Sequence, residues 1–328
     1  MKIGILGAGN IAGKLAYTMS QLEEAECYAV ASRSLENAQH FASEYGFEKA
    51  YGSYEEMLAD QDVELVYIAT PHSHHYSHMK LCIEAGKHVL CEKAFTVNEK
   101  QAKEIFRLAK EKDVLVTEAI WTRYMPSRKI INDLLTEGII GEVKTLTANL
   151  DYNIVGKERI IRPELAGGAL LDVGVYTINF VLMHFGNKIA KKHSVVHMTD
   201  TGVDGQNVIT LSYEDNRIAL LTSGIYGISD RQGIFYGSKG YMAVDNINDP
   251  TAVNIYDENH ELIKNVAMPE QINGYEYEII ETIDCIKKGM RECPSMTHED
   301  TLEVMRIMDE LRSEWGVRYP EEIENLKI

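Results

Sequence analysis

The chain has 328 residues, and its 33 lysines and arginines against 50 aspartates and glutamates give a formal net charge of −17 at pH 7. A protein this acidic repels phosphate backbones and anionic lipid, which excludes nucleic acid and membrane surfaces as expected partners. The length suits about two domains. We expect a cytoplasmic protein for three reasons: the five cysteines are scattered and form no CxxC pair, no apolar stretch approaches ~18 residues, and the N-terminus does not look like a secretory signal.

Short β-rich segments alternate with helical segments over the first 120 residues. Strands are predicted at 2–6, 27–31, 65–69, 88–91 and 114–117, each only four or five residues long, as buried parallel strands are. Helices are predicted between them at 11–22, 35–45, 53–59, 73–85 and 98–112. This alternation predicts βαβ units, and so an α/β domain over residues 1–120 with a doubly wound parallel sheet.

The pattern changes after residue 120. A helix is predicted at 127–136, a strand at 143–153, and a second helix from Gly167-Gly168 to about residue 185. Six further strand-like segments, with short polar connections that suit hairpins, follow at 207–213, 217–226, 232–236, 241–244, 252–256 and 261–264. Two helices are predicted near 275–288 and 299–315. Residues 121–328 are therefore predicted to form an α+β domain with a large, mainly antiparallel open sheet, and packing of its last helix on the first domain is left open.

A glycine-rich turn joins the first predicted strand to the first predicted helix. This strand–turn–helix context is the one that the dinucleotide-binding (Rossmann) fingerprint requires. Exposed amides and the helix dipole would stabilise a pyrophosphate there, and a turn with a purely structural role is the alternative. The expected cofactor contacts are Gly7 for the turn, Gly9 for close backbone approach, Asn10 and Ile11 at the helix start, and Ala12 for helix–strand packing.

The end of the second predicted strand indicates which dinucleotide binds. A cofactor with a free ribose 2′-hydroxyl usually meets Asp or Glu there, but this chain has Ser32-Arg33. Arg33 can pair with a 2′-phosphate, and Ser32 can donate a hydrogen bond to it. We therefore predict NADP, with NAD as the alternative cofactor; a solvated arginine at a strand end is the structural alternative.

Four histidines lie within the segment 72–78, after the third long predicted strand. His74 and His78 have the i, i+4 spacing of a helical metal site, but no nearby Asp, Glu or Cys completes one, so no metal is expected. Open α/β sheets bind ligands at the carboxyl ends of their strands. We therefore expect this loop to lie along the cofactor, through Thr70, Pro71, His72 and His75.

Two further segments carry groups suited to proton transfer. Glu92-Lys93 ends a predicted strand at the same sheet edge, and adjacent strand residues point to opposite faces. Lys93 facing a nicotinamide would be a proton donor or an electrostatic clamp, and a surface Lys–Glu pair is the alternative. Asp172 and Tyr176 are four residues apart on one face of a predicted helix, which points either to solvent or to a wet cleft.

Together these segments resemble the Gfo/Idh/MocA family, which includes glucose–fructose oxidoreductase and inositol dehydrogenase. The resemblance covers nearly the whole chain and rests on the glycine turn, Thr70-Pro71-His72 and the segments 85–93 and 167–176. Within the family the chain is most similar to the dimeric dihydrodiol dehydrogenases and NADP-dependent xylose dehydrogenases, through the segments 118–124, 167–176 and 201–204.

The resemblance implies roles for individual residues. Lys93 matches the family's catalytic lysine, and Asp172 and Tyr176 match its substrate-side helix. The family usually has a proline where this chain has Ala94, so a cis proline is expected to be lost and the aim of Lys93 to shift. The residues expected at the nicotinamide end or the substrate are Glu92, Trp121 and Arg123.

The implied activity is reversible hydride transfer between NADP and a secondary alcohol of a polyol, sugar or diol. Lys93 or Tyr176 would take the hydroxyl proton, and Asp172 would orient the substrate. A carbonyl reductase for a sugar-derived ketone and a non-catalytic NADP sensor are the alternatives. The open sheet of the second domain needs a cover for its apolar face, so we expect a homodimer through that sheet.

Overall fold

The chain folds into two compact units, and the computed structural model describes residues 1–325. The first unit comprises Met1–Tyr124, Gln271–Arg306 and residues 321–325, and the second comprises Met125–Glu270 and Ile307–Pro320. The expected division at residue 120 lies close to the end of the first segment. The segment Gln271–Arg306, however, belongs to the first unit. No local sequence pattern indicates that the chain returns there. Residues 326–328 of the expected second domain lie outside the described residues.

The first unit is built on a six-stranded parallel sheet in the order β3-β2-β1-β4-β5-β6. This order is typical of dinucleotide-binding folds and confirms the predicted doubly wound sheet. The short strand β3 was not predicted, because three residues carry no periodicity, and β6 begins later than expected. The strands are β1 (Lys2–Leu6), β2 (Glu26–Ala31), β3 (Lys49–Tyr51), β4 (Leu65–Ile68), β5 (His88–Glu92) and β6 (Val116–Ala119).

Five helices follow these strands in turn: α1 (Asn10–Met19), α2 (Leu35–Tyr45), α3 (Tyr54–Ala59), α4 (His72–Glu84) and α5 (Glu99–Lys112). The side chains of Ser34, Ser53 and Asn98 cap α2, α3 and α5 by accepting hydrogen bonds from backbone N–H groups three residues further on. Helix α1 has Gly9 at its N-cap position and therefore no side-chain cap. Its first amides therefore need an acceptor from outside the helix.

The second unit is built on an eight-stranded sheet in the order β14-β13-β12-β11-β7-β10-β9-β8. All neighbouring strands are antiparallel except β7 and β10, which confirms the mainly antiparallel prediction. Strand β8 is missing from the predicted strands, because it is an edge strand rich in lysine and histidine. The strands are β7 (Val143–Asp151), β8 (Ile189–Met198), β9 (Asp204–Tyr213), β10 (Ile218–Gly224), β11 (Gly233–Gly237), β12 (Gly240–Val244), β13 (Ala252–Asp257) and β14 (Leu262–Ala267).

The two faces of this sheet differ in exposure. One face is buried, with Leu146, Ile209, Leu221 and Phe235 at zero exposure. The pairing register places a different row on the other face: Val195 lies opposite Val208, Leu220 opposite Thr147, and Tyr236 opposite Tyr241. On that face Val195 is 73% exposed and Val208, Leu220 and Tyr236 are each about 40% exposed.

The helices of the second unit are α6 (Pro126–Thr136), α7 (Glu158–Ile161) and α8 (Val175–Phe185), and a π-helical turn at Leu170–Gly174 leads into α8. The stretch Pro163–Phe185 is long and apolar enough to cross a membrane by length and composition, and 94% of its most apolar window is buried. The expectation that no stretch approaches such a length was wrong here. A helix that is apolar all round is typical of the core of a protein as well as of a membrane.

The chain then returns to the first unit with α9 (Glu276–Lys287), α10 (His298–Trp315) and α11 (Glu321–Glu324). Helix α10 passes from the first unit into the second after Arg306. The loop before α10 lies along the edge strand β6, because the Arg291 carbonyl accepts a hydrogen bond from the Val116 N–H at 3.2 Å. Covering an edge strand in this way prevents its open backbone groups from pairing with another chain.

Candidate active site

The glycine turn has the geometry that an anion cradle needs. Gly7 adopts φ +105°, and a Cβ there would lie 3.0 Å from the Ala69 carbonyl oxygen, so only glycine fits the turn. At Gly9, by contrast, a Cβ would meet nothing within 4 Å. The N-terminus of α1 is uncapped, has no acidic residue in its first turn, and opens onto this space. These residues fit the pyrophosphate of a dinucleotide.

Gly9→Ala tests this interpretation without disturbing the fold. Gly9 has φ −99°, which alanine adopts freely, and the added methyl contacts no protein atom, so we expect an unchanged midpoint of thermal unfolding. The methyl would occupy the space of the pyrophosphate, so the NADPH dissociation constant should rise by about 10-fold or more. Fluorescence titration measures this. Gly227→Ala, where a Cβ also meets nothing, is the matched control, and equal NADPH affinity of the two variants would contradict the cradle.

Arg33 lies exposed after the end of β2. Burial and then the Arg33 charge lower the pKa of His74, and the same charge contributes to the lowered pKa of His78. Among residues 1–325 Arg33 forms no ion pair with a carboxylate. Ser32 is half-buried, and its hydroxyl accepts a hydrogen bond from the Ser34 N–H at 3.5 Å. Ser32 and Arg33 together fit a phosphate group, and neither Asp nor Glu follows β2 at the position that would bind a ribose 2′-hydroxyl.

The histidine loop is divided between surface and interior. Thr70 and Pro71 lie toward the surface at the carboxyl end of β4, whereas His72 and His75 are buried. The two ring nitrogens of His75 lie 2.8 Å from the carbonyls of Thr70 and Ala94, and burial lowers its pKa to about 4. A neutral ring carries one proton, so it donates to one of these two carbonyls. The His75 ring thus links the Thr70 and Ala94 backbone next to Lys93, and its contact with a cofactor stays a prediction.

Lys93 is half-buried directly after β5, at the carboxyl edge of the sheet. Glu92 is buried: its carboxylate accepts hydrogen bonds from the Tyr67 hydroxyl and from the Lys93 backbone N–H. Glu92 therefore holds the backbone of Lys93 from inside the unit, and its expected place at the nicotinamide end stays a prediction. The Lys93–Ala94 peptide is cis, so the cis geometry that Ala94 was expected to remove is present.

Trp121 and Arg123 are both buried in the first unit. The Trp121 ring stacks on Tyr275, with ring centroids 4.7 Å apart. Arg123 is 1% exposed and pairs with Asp300 at 3.0 Å. The expected place of both residues at the nicotinamide end or the substrate stays a prediction.

Glu118 on β6 is a fully buried carboxyl group close to the Lys93 loop. One oxygen accepts from the Phe95 N–H at 3.1 Å, and burial raises its pKa to about 7. Because this pKa exceeds the ordinary 4.5, the contribution of Glu118 to the free energy of unfolding should be largest below pH 4.5 and fall by about 3 kcal/mol as the pH rises through 7. Glu118→Gln should remove that part of the pH dependence, measured by urea unfolding at several pH values. Glu23→Gln, at an exposed site, should keep it; a Glu118→Gln protein with the parent slope would contradict this assignment.

The second unit carries its own set of polar groups. Asp172 lies in the π-helical turn, and its Oδ1 accepts a hydrogen bond from Arg159 Nη1 at 2.6 Å. Tyr176, in the first turn of α8, is 8% exposed, and Asn179 is fully buried with its amide donating to the Val175 carbonyl at 2.8 Å. This face of the helix is therefore not simply solvated.

Two residues that hold this helix were missed from the sequence. The buried Asp204 accepts hydrogen bonds from the Leu170 N–H at 2.7 Å and from the Asn207 amide at 3.2 Å, so it caps the start of the π-helical turn. Its place within the segment 201–204 was a usable signal. Arg159 lies in the short helix α7, in a segment of mixed charge, and nothing in its spacing pointed to Asp172.

Two family models match this chain. Residues 1–120 match the oxidoreductase family with an NAD-binding Rossmann fold, and residues 129–243 match the Gfo/Idh/MocA C-terminal domain. The trans-1,2-dihydrobenzene-1,2-diol dehydrogenase of Danio rerio is 34% identical over 98% of this chain and 99% of its own length. The chain belongs to the Gfo/Idh/MocA oxidoreductase family.

A second dehydrogenase and a solved structure are also similar to this Gfo/Idh/MocA oxidoreductase. The dehydrogenase of the same name from Xenopus tropicalis is 33% identical over 97% of this chain and 99% of its own length. The solved structure of KijD10, a 3-ketoreductase from Actinomadura kijaniata in complex with NADP and TDP-benzene, matches with a TM-score of 0.88 and 25% identity over 95% of this chain and 97% of that chain.

Proposed function

We propose that this protein is an NADP-dependent oxidoreductase that interconverts a secondary alcohol and a ketone on a sugar, polyol or dihydrodiol. The observation that carries the proposal is in the first unit: an uncapped helix N-terminus with open space at Gly9 and Lys93 at the same carboxyl edge of the sheet. The named dehydrogenases at about a third identity and the NADP-bound ketoreductase structure support it.

The chain's residues divide the work of binding and proton transfer. The nicotinamide, when bound, accepts or supplies the hydride. The amides at the start of α1 bind the pyrophosphate, and Arg33 binds the 2′-phosphate. Lys93 Nζ takes the hydroxyl proton during oxidation and returns it during reduction, at a backbone fixed by Glu92 and His75.

Asp172 and Tyr176 enter the proposal as substrate-side residues. Arg159 holds the Asp172 carboxylate in one orientation, and a carboxylate oxygen is a natural acceptor for a sugar hydroxyl. The Tyr176 hydroxyl is the alternative proton carrier to Lys93. A ketoreductase among the solved relatives favours reduction of a sugar-derived ketone as the second candidate direction.

Cofactor titration followed by turnover tests the function. We expect NADPH to bind at least ten times more tightly than NADH, and NADP to be reduced with xylose, other aldoses or a dihydrodiol. NADH preference would contradict the role of Arg33 and leave the oxidoreductase in place. Binding of NADPH without turnover of any of these alcohols or of matched ketones would favour the non-catalytic sensor. Failure to bind either nucleotide would overturn the proposal.

We further propose a cytoplasmic homodimer that forms through the open face of the eight-stranded sheet. Val195, Val208, Leu220 and Tyr236 give that face an apolar surface of the kind that a second copy covers. The five cysteines are free thiols, which suits a reducing compartment. The net charge of −17 gives no reason to expect nucleic acid or an anionic membrane surface as partner.

Light scattering at micromolar concentration should give the mass of a dimer. Leu220→Asp places a charge in the middle of the apolar face and should shift the protein to monomer, because a buried unpaired charge is costly. Ile228→Asp, at an 86% exposed residue after β10 and outside the sheet, is the control and should remain dimeric. A parent protein that is monomeric under these conditions would refute the dimer.

A further inference from the structure

Three metal-ligating side chains converge in the first unit, apart from the residues proposed for catalysis. One Glu281 carboxylate oxygen, Cys285 Sγ and Cys293 Sγ lie within 4.8 Å of one another. Glu281 and Cys285 are one turn apart on α9, so they share a face. Cys293 reaches them from the following loop, which folds back because the Met290 N–H donates to the Cys285 carbonyl at 2.9 Å.

The ligand types and their spacing suit a soft divalent ion. Zinc takes thiolate sulfur at about 2.3 Å and carboxylate oxygen at about 2.0–2.2 Å, so tetrahedral ligands lie about 3.5–4 Å from one another. The three ligand atoms, all within 4.8 Å of one another, lie close to that spacing. Two thiolates and a carboxylate match zinc better than the all-oxygen sites of magnesium or calcium.

The surroundings resemble the support that ligands receive in metal sites. The Ser295 N–H and Ser295 hydroxyl hold the Glu281 carboxylate at 2.9 and 2.7 Å, and ligating carboxylates are usually held in this way. The Thr282 hydroxyl lies 3.7 Å from Cys293 Sγ. Both thiols are buried while Glu281 is half-buried, so an ion can enter from the carboxylate side.

We propose that Glu281, Cys285 and Cys293 bind one zinc ion, with a water molecule as the fourth ligand, and that the ion fastens the loop after α9 to that helix. Arg291 in this loop pairs with β6, and the His298 ring contacts the Val116 carbonyl at 2.9 Å. The ion would therefore stabilise the covered edge of the six-stranded sheet. It takes no part in hydride transfer.

Metal binding by the reduced, full-length protein tests the site. After treatment with a chelator and dialysis, we expect one Zn²⁺ bound per chain at micromolar concentration and a rise in the unfolding temperature on its addition. Co²⁺ should give the absorption band of thiolate coordination. Cys285→Ser and Cys293→Ser should each abolish the band, and Cys27→Ser, at a half-buried thiol elsewhere in the unit, should keep it.

Glu281→Gln provides a variant that leaves both buried thiols in place. It should lower Zn²⁺ affinity by 10-fold or more with NADPH binding unchanged. Three results would overturn the proposal: no Zn²⁺ bound beyond the level of the Cys293→Ser protein, a cobalt band that depends on Cys27, or a mass spectrum of the unreduced protein that shows Cys285 and Cys293 joined in a disulfide. None of these readouts depends on the alcohol substrate.

Discussion

Lys93→Met is expected to lower turnover by at least ~100-fold and to leave NADPH affinity within about twofold of the parent. Methionine is close to lysine in length and packs in its place, so the change removes the ammonium and little else. Lys93 stands after β5, and Glu92 and His75 fix its backbone, so the neighbouring loop should keep its conformation. Steady-state kinetics with the best alcohol substrate and fluorescence titration with NADPH measure the two quantities.

Two further variants serve as a control and as a test of the alternative proton carrier. Lys110→Met, at an exposed lysine on α5, should keep parent activity. Tyr176→Phe removes only a hydroxyl, and its effect separates the two candidate proton carriers. If Lys93→Met retains activity while Tyr176→Phe loses ~100-fold, Tyr176 is the carrier and Lys93 is not. If both retain parent activity, the proposed proton transfer is wrong.

Arg33→Ala is expected to weaken NADPH binding by about 10- to 100-fold and to leave NADH binding unchanged. Hydrogen bonds to charged groups contribute about 1.5–3 kcal/mol, and each 1.4 kcal/mol is tenfold in affinity. Arg33 has no carboxylate partner among the described residues, so its removal leaves no acid uncompensated. The two dissociation constants, measured in the same buffer, give the discrimination ratio directly.

The salt dependence and an arginine elsewhere in the unit serve as controls. The NADPH affinity of the parent should fall with added salt more steeply than that of Arg33→Ala, because the variant has lost a charge contact with the phosphate. Arg107→Ala, at an arginine paired with Glu104 and Glu111 on α5, should bind both nucleotides like the parent. A parallel loss of NADPH and NADH affinity in Arg33→Ala would mean that Arg33 does not read the 2′-phosphate.

The sequence predicted most of the sheet architecture because local patterns carry that information. Buried parallel strands are short and apolar, and the turns of the second sheet are short and polar, so both were found within a few residues. Strands β3 and β8 were missed for opposite reasons, since one is too short for a pattern and the other is a polar edge strand. The return of the segment Gln271–Arg306 to the first unit depends on contacts distant in sequence, such as Arg291 with Val116.

The sequence predicted which residues stand at the strand ends of the candidate site, but it did not predict which of their side chains are buried. The glycine turn, Ser32-Arg33 and Lys93 stand at strand ends that any doubly wound sheet brings to one edge. The inward positions of His75, Glu92 and Arg123 could not be predicted, because a motif gives the residue and not the direction of its side chain. Arg159 is paired with Asp172 across a loop, which only the folded chain shows.

The return of α9 to the first unit determines which fragments of this protein can fold by themselves. The first unit is assembled from separate segments of the chain, so a fragment that stops at Tyr124 would lack the ring of Tyr275 over Trp121 and the loop along β6. Such a fragment would expose the edge of β6 and the face of the Trp121 indole that Tyr275 covers, and these surfaces promote aggregation. A self-sufficient nucleotide-binding piece would need the segment Gln271–Arg306 as well as Met1–Tyr124, so truncating the chain at one point does not produce it.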